Sequence, residues 1–308
     1  MIKNVIYSQL EGLMTDTDWK GDPNIDFSVF PSFDVSGFKI THIMNLKEEL
    51  KDFPLSHFFS TVTTAPLGIM SFVAIKEISE EKNVMPPIEA RHELDALVTC
   101  FRLFQSGYVG WGISFFLGSE TKFGNIFGNT LRDSGGGRAY RLKEADIPEF
   151  VKYAEKVFPI VLELGKNKGE LMFKFFNRGL NDTLRWEFKA SLVDYFISLE
   201  SLFRLQKNNS MNDSILKASI INGDSVDDRV DTYKKLRLIK DKRNKIVHGA
   251  YKHYDMNELQ EDCTFLERVI RKNLRIVLNY EASGKGYDGL LKDLDRTIYG
   301  GSKEFTYQ

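Results

Sequence analysis

Two cysteines, five histidines and a net charge of only −1 in 308 residues are the conspicuous shortages of this chain, and each closes off a class of function. Cys100 and Cys263 lie far apart in apolar, helix-like surroundings, so a reduced interior with both thiols buried is expected rather than a disulfide framework. His42, His57 and His92 have no ligand spacing, and the chain contains neither Cys-x2-Cys nor His-Glu-x2-His. No metal and no other cofactor is therefore expected. A Gly-x-Ser-x-Gly nucleophile elbow is also missing. With acids and bases nearly balanced, the protein is no polycation, and any polyanion site must be local. Long apolar runs are lacking too. The best, Tyr108 to Leu117, is broken by glycines and too short to cross a bilayer. Met1 to Val5 lacks the apolar core of a signal peptide, so a cytoplasmic location without membrane contact is expected.

What is present is ordinary for a folded protein with a large core: 42% hydrophobic, 28% charged and 13% aromatic residues, with 24 phenylalanines. The patterning changes along the chain. Residues 1–135 read as a mixed α/β domain. Short β-branched and aromatic runs occur at Asp26–Phe30, Gly37–Thr41, Ile69–Ile78 and Tyr108–Leu117, around an amphipathic helix over Ile88–Gln105. Asp133-Ser134-Gly135-Gly136-Gly137-Arg138 is read as a linker; it lacks the lysine-serine or lysine-threonine ending of a phosphate-binding P-loop. Residues 140–282 then show helical stripes over Lys143–Leu164, Leu184–Leu205, Asp227–Val247 and Met256–Leu278. Stripes of this kind bury against one another as a bundle. Residues 283–308 read as a polar tail with a short helix at Asp288–Ile298. The fold class is α+β: an N-terminal mixed α/β region followed by an all-α helical bundle.

The chemistry concentrates in the third stripe, where Lys240, Lys242 and Lys245 belong to a basic run. The fourth adds Arg268, Arg271, Lys272 and Arg275 at steps of three and four. If the two helices are neighbours, their exposed sides form a positive groove suited to a phosphate backbone. The plainer reading is a solvated lysine-rich face. The third stripe ends in Arg243-Asn244-Lys245-Ile246-Val247-His248-Gly249. Asn244 and His248 are four apart and share a face. Arg243 and His248 are five apart, roughly 140° around the axis at 3.6 residues per turn. A left-handed Gly249 can turn His248 from its regular position; alternatively, two copies supply their groups from opposite sides of one cleft.

Arg243-Asn244-x3-His248-Gly249, together with Leu192-Val193-Asp194-Tyr195-Phe196-Ile197-Ser198-Leu199-Glu200-Ser201-Leu202-Phe203 upstream, resembles the HEPN superfamily, in particular its Apea-like bacterial branch. The resemblance covers about residues 140–280. It implies a helical bundle that dimerises and brings two motif histidines to a shared cleft. It also implies a metal-independent endoribonuclease, used as a toxin or in antiphage defence. By resemblance His248 is the acid/base, Arg243 the phosphate ligand and Asn244 the positioner, with Glu200 either supporting the arginine or held in a structural ion pair. Implied partners are RNA, a second copy of the chain, and an antitoxin or defence-system protein. In some members a tyrosine two residues after the histidine is adenylylated; here Tyr251 follows by three, so that regulation is not carried over. The residue types suit the reaction. Attack of a ribose 2′-OH on phosphorus needs one proton removed and one delivered to the 5′-oxygen, and imidazole titrates near neutrality. Two other readings stand beside it: a non-catalytic module of this family binding RNA, nucleotide or a protein, and a purely structural helical domain.

Overall fold

The computed structural model describes residues 4–11, 13–15, 31–46, 72–78, 88–107, 109–117, 126–128, 140–167, 169–203, 210–249 and 254–300. The chain divides into two compact units, residues 1–133 with 137–158, and residues 159–308 with 134–136.

The first unit holds a six-stranded antiparallel sheet in the order β3-β4-β5-β1-β6-β7. The strands are β1 (Asn4–Glu11), β3 (Phe33–Val35), β4 (Phe38–His42), β5 (Phe72–Ile78), β6 (Gly110–Leu117) and β7 (Ile126–Gly128). A separate parallel pair joins β2 (Leu13–Thr15) to β8 (Tyr140–Leu142). β1 is central, flanked by β5 and β6, and its register shifts between Ser8 and Leu10. Ile6, Ser8 and Leu10 alternate on one buried face, where the Ser8 and Ser114 hydroxyls share a 2.7 Å hydrogen bond. Helix α1 (Ile88–Phe104) buries Leu94, Leu97 and Phe101. The buried Arg102 donates from Nε to the Val109 carbonyl at 2.7 Å, fixing the turn from α1 into β6.

Helix α2 (Ile147–Lys166) contains the division between units, at Phe158 and Pro159. Aromatic packing ties its first half to the sheet. Phe150 stacks on Phe101 with ring centroids 4.2 Å apart and meets Phe33 edge-on, while Phe158 meets Phe38 at 6.2 Å. The first half of α2 therefore belongs to the sheet's core. The linker reading at 133–138 and the strand expected at 26–30 lie outside the described residues, as do Tyr251, His253 and His57.

The second unit contains α3 (Glu170–Leu184), α4 (Phe188–Phe203), α5 (Met211–Asn222), α6 (Val226–Val247), α7 (Met256–Ala282) and α8 (Gly286–Ile298). The layout is α+β, an antiparallel sheet followed by a helical region, as the patterning implied. Helix α4 is the hub, packing against α3, α5, α6 and α7. Small polar residues let α3 come close: Ser191 donates to the Gly179 carbonyl at 2.8 Å and Ser198 to the Met172 carbonyl at 2.7 Å. A Cβ on Gly179 would stand 2.7 Å from the Tyr195 ring, so only glycine fits there unstrained. α8 is not part of a polar tail. Leu290, Leu291 and Leu294 are buried, Tyr280 donates to Asp293 at 2.8 Å, and Tyr287 donates to the Leu202 carbonyl at 2.6 Å.

Candidate active site

Helix α6 carries most of the nominated residues, and its ends are well defined. Ser225 and Asp228 form a reciprocal capping box at its start, with Asp227 and Asp228 complementing the positive end of the helix dipole. A tight turn precedes it, because a Cβ on Gly223 would lie 2.4 Å from the Arg229 nitrogen. At the other end His248 is the capping residue, its N–H donating to the Asn244 carbonyl at 3.0 Å. Gly249 follows with φ of +68°, the left-handed conformation that stops a helix at little cost only for glycine.

Arg243 and Asn244 are brought together. The guanidinium Nη1 donates to Asn244 Oδ1 at 3.1 Å, and the arginine Nε is buried with no partner among the described residues. Both side chains are half-buried, whereas His248 and Lys245 are exposed. Glu200 is half-buried on α4, and Arg243 makes its hydrogen bond to Asn244. Gly249 does not redirect the imidazole. His248 keeps a near-helical φ of −88°, so its Cβ stays close to its regular position on the helix. The angular separation from Arg243 therefore remains about 140°. One chain presents a half-buried guanidinium on one side of the helix end and an exposed imidazole well around from it.

The nominated cations divide into two groups. Lys242 is turned inward onto Glu258 and the fully buried Asp262, whose Oδ2 it meets at 2.6 Å. Burial opposes its charge, yet the hydrogen bonds to these two carboxylates prevail and hold its pKa above the usual lysine value. Lys235, two turns earlier, reaches Asp262 Oδ1 at 2.6 Å. Lys240 donates to Asn212 on α5 at 2.9 Å. Arg271 pairs with Glu267 one turn back, and Lys272 reaches the Asn222 carbonyl at 3.4 Å and Asp224 at 3.8 Å. Arg275 is half-buried. Lys245 and Arg268 are the two nominated cations left largely in solvent, Arg268 lying 5.5 Å over the Phe265 ring. α6 and α7 are thus joined by basic residues facing an acid, and the groove imagined from charge alone loses several of its members.

Asp262 is the residue that sequence reasoning missed. It lies on the same stripe as Leu259, Cys263 and Leu266, so an acid on an apolar face was visible as an anomaly. A buried carboxylate is tolerated only when paired, and removing one partner of such a pair costs about 3–5 kcal/mol. Asp194, in the upstream motif, is likewise buried and held by both Nε and Nη2 of Arg178. Among the described residues, no group of three or more His, Cys, Asp or Glu side chains is arranged to hold a metal ion. No described helix is long and apolar enough to cross a membrane. No protein-family model, no curated protein and no solved structure matches this chain.

Proposed function

We propose that this chain is a metal-independent endoribonuclease of the HEPN type, Apea-like, acting in the cytoplasm as a homodimer in toxin or antiphage defence. On this reading residues 159–298 are the nuclease, and the sheet-bearing unit senses a trigger or restrains it. The observation that carries the reading is the helix end itself. A guanidinium with a buried, unfilled Nε is hydrogen-bonded to its neighbouring amide, and an exposed imidazole stands one turn further on.

In the reaction, one imidazole removes the proton of the ribose 2′-OH, and the 2′-oxygen attacks phosphorus. The bond from phosphorus to the 5′-oxygen breaks, and the same imidazole, now protonated, returns its proton to that leaving oxygen. Arg243 neutralises the extra negative charge on the phosphoryl oxygens during the transfer, with Asn244 holding its guanidinium plane. The products are a 2′,3′-cyclic phosphate and a 5′-hydroxyl, and DNA survives because it lacks the attacking group. Because Arg243 and His248 diverge around one helix end, a second copy related by a twofold axis is needed to bring an imidazole opposite the guanidinium.

Incubating the protein with total RNA and mapping the fragment ends tests this. His248→Ala and Arg243→Ala are expected to abolish cleavage while leaving the melting temperature and dimerisation intact. Cleavage that EDTA stops, or that both variants retain, refutes it. The pairing of Lys242, Arg271 and Lys272 with acids favours a second reading, a non-catalytic module whose partner is a protein. That reading is selected if a partner is retained without any RNA turnover.

A further inference from the structure

Helix α6 is long for the hold that apolar packing has on it. Of its 22 residues only Leu236 and Ile239 are buried, while Leu238 and Val230 point to solvent. Two adjacent anchors leave the roll of a helix weakly specified, because side chains on either flank can exchange places at little cost. The polar contacts supply what the apolar ones lack. Lys235 and Lys242 are seven residues apart, nearly in line and roughly 10 Å apart along the axis at 1.5 Å per residue. Each takes one oxygen of the same Asp262 carboxylate, so this buried acid grips the helix from both sides of the Leu236–Ile239 contact. Glu258, one turn back on α7, makes a further contact to Lys242. Any appreciable roll of α6 would break both lysine contacts at once and leave a charge stranded in the interior.

We infer that Asp262 is a positioning residue: by clamping Lys235 and Lys242 it sets the roll of α6, and thereby the direction in which the adjacent Arg243 and Asn244 meet a substrate. The inference rests on the nuclease reading for its consequence but not for its geometry. It reassigns Lys242 from the phosphate-binding surface to the support of the site. A phosphate ligand and a strut differ in what happens when the acid is removed. If Lys242 were a ligand, Asp262→Asn would free it and RNA would bind as well or better.

The experiment compares full-length wild type with Asp262→Asn, Lys242→Met and the double variant, all assayed well below their melting temperatures. Misplacement of a reacting group by about 1 Å costs up to ~100-fold. Each single variant is therefore expected to lose on the order of tenfold or more in kcat, with KM within about twofold of wild type. The double variant should be no worse than either single, and Lys242→Arg should recover most of the loss. The slope of RNA affinity against salt should stay unchanged in Lys242→Met, whereas loss of a phosphate contact lowers it by about one. Unchanged kcat in Asp262→Asn, or a reduced salt slope in Lys242→Met, overturns the assignment. Hydrogen exchange gives a reading independent of activity. Amides of residues 236–247 should lose protection in Asp262→Asn while those of α4 keep theirs, and unaltered protection of α6 overturns the clamp. A wild type that cuts no RNA, together with the expected loss of α6 protection in Asp262→Asn, counts against the nuclease reading and not against the clamp.

Discussion

If the guanidinium and the imidazole that act on one phosphate come from different copies of the chain, two dead variants should restore each other. Arg243 and His248 sit about 140° apart on α6, so a single helix end cannot aim both at the same atom. Consider Arg243→Ala mixed in equal amounts with His248→Ala, after the dimers have been dissociated and allowed to re-form. Random pairing makes roughly half of all dimers mixed, and in a twofold assembly each mixed dimer has one site with both wild-type groups and one with neither. The mixture should therefore recover about one quarter of wild-type turnover, from two preparations that are each inactive. Were the two groups of a site supplied by one chain, every site in the mixed dimer would lack one of them and turnover would stay at the background. The assay is initial-rate cleavage of a fluorescent RNA, with differently tagged copies confirming that mixed dimers have formed. Background activity in a sample shown to contain mixed dimers refutes the shared-cleft argument. It would also require Arg243 or His248 to move in the single chain before reaction, for which a helix end fixed by the His248 and Gly249 backbone hydrogen bonds offers little room.

The helices and strands were legible to different degrees. Stripes at 143–164, 184–205, 227–247 and 256–278 correspond to α2, α4, α6 and α7, with the first two helices starting four residues later than their stripes, because long apolar periodicities survive any tertiary context. α3 and α5 were passed over. α3 carries Met172, Phe173, Phe176 and Leu180 at helical steps, but Gly179 and Asp182 on its buried face and Asn177 and Asn181 beside it blur the pattern. α5 is short, and its buried set mixes Ser214, Lys217 and Ser219 with Ile215 and Ile220. The central strand β1 was missed for the reason that makes it central: buried on both faces, with a serine in the core, it does not alternate polar with apolar.

The site was legible as residue types and illegible as directions. Arg243, Asn244, His248 and Gly249 announced a helix end with useful chemistry, and the contact between the first two agrees with their adjacency. Which lysines face outward was beyond the sequence. Lys242 and Lys245 look alike in a basic run, and only the position of Asp262 on the neighbouring helix tells the strut from the exposed cation. Seven-residue spacing between Lys235 and Lys242, read against a lone acid in an apolar stripe, would have been the available clue.

Two stability predictions test the packing of the helical unit. Gly179→Ala should destabilise by about 1–2 kcal/mol in urea melts, overpacking against the Tyr195 ring exceeding the gain in helix propensity; an unchanged midpoint would show that the ring can yield. Asp182→Asn should do the opposite, and in a pH-dependent way. Asp182 is buried close to Asp194 and Glu187, and burial first, then those two charges, raises its pKa to about 6. The folded state thus holds this proton more tightly than the unfolded chain, whose aspartates titrate near 3.9. Stability is undiminished below about pH 4 and falls as pH rises toward 6, where the buried carboxylate is forced to ionise. The shift corresponds to about 3 kcal/mol at most, and screening by solvent and the neighbouring guanidinium reduces this to about 1–2 kcal/mol. Asparagine keeps a donor for Asp194 and carries no charge, so at pH 7.5 the variant should gain that amount over wild type and at pH 4 nothing. Denaturant melts across this range decide it. A gain that persists at pH 4 would place its origin outside the titration of Asp182, and no gain at pH 7.5 would mean that Arg178 already neutralises both carboxylates.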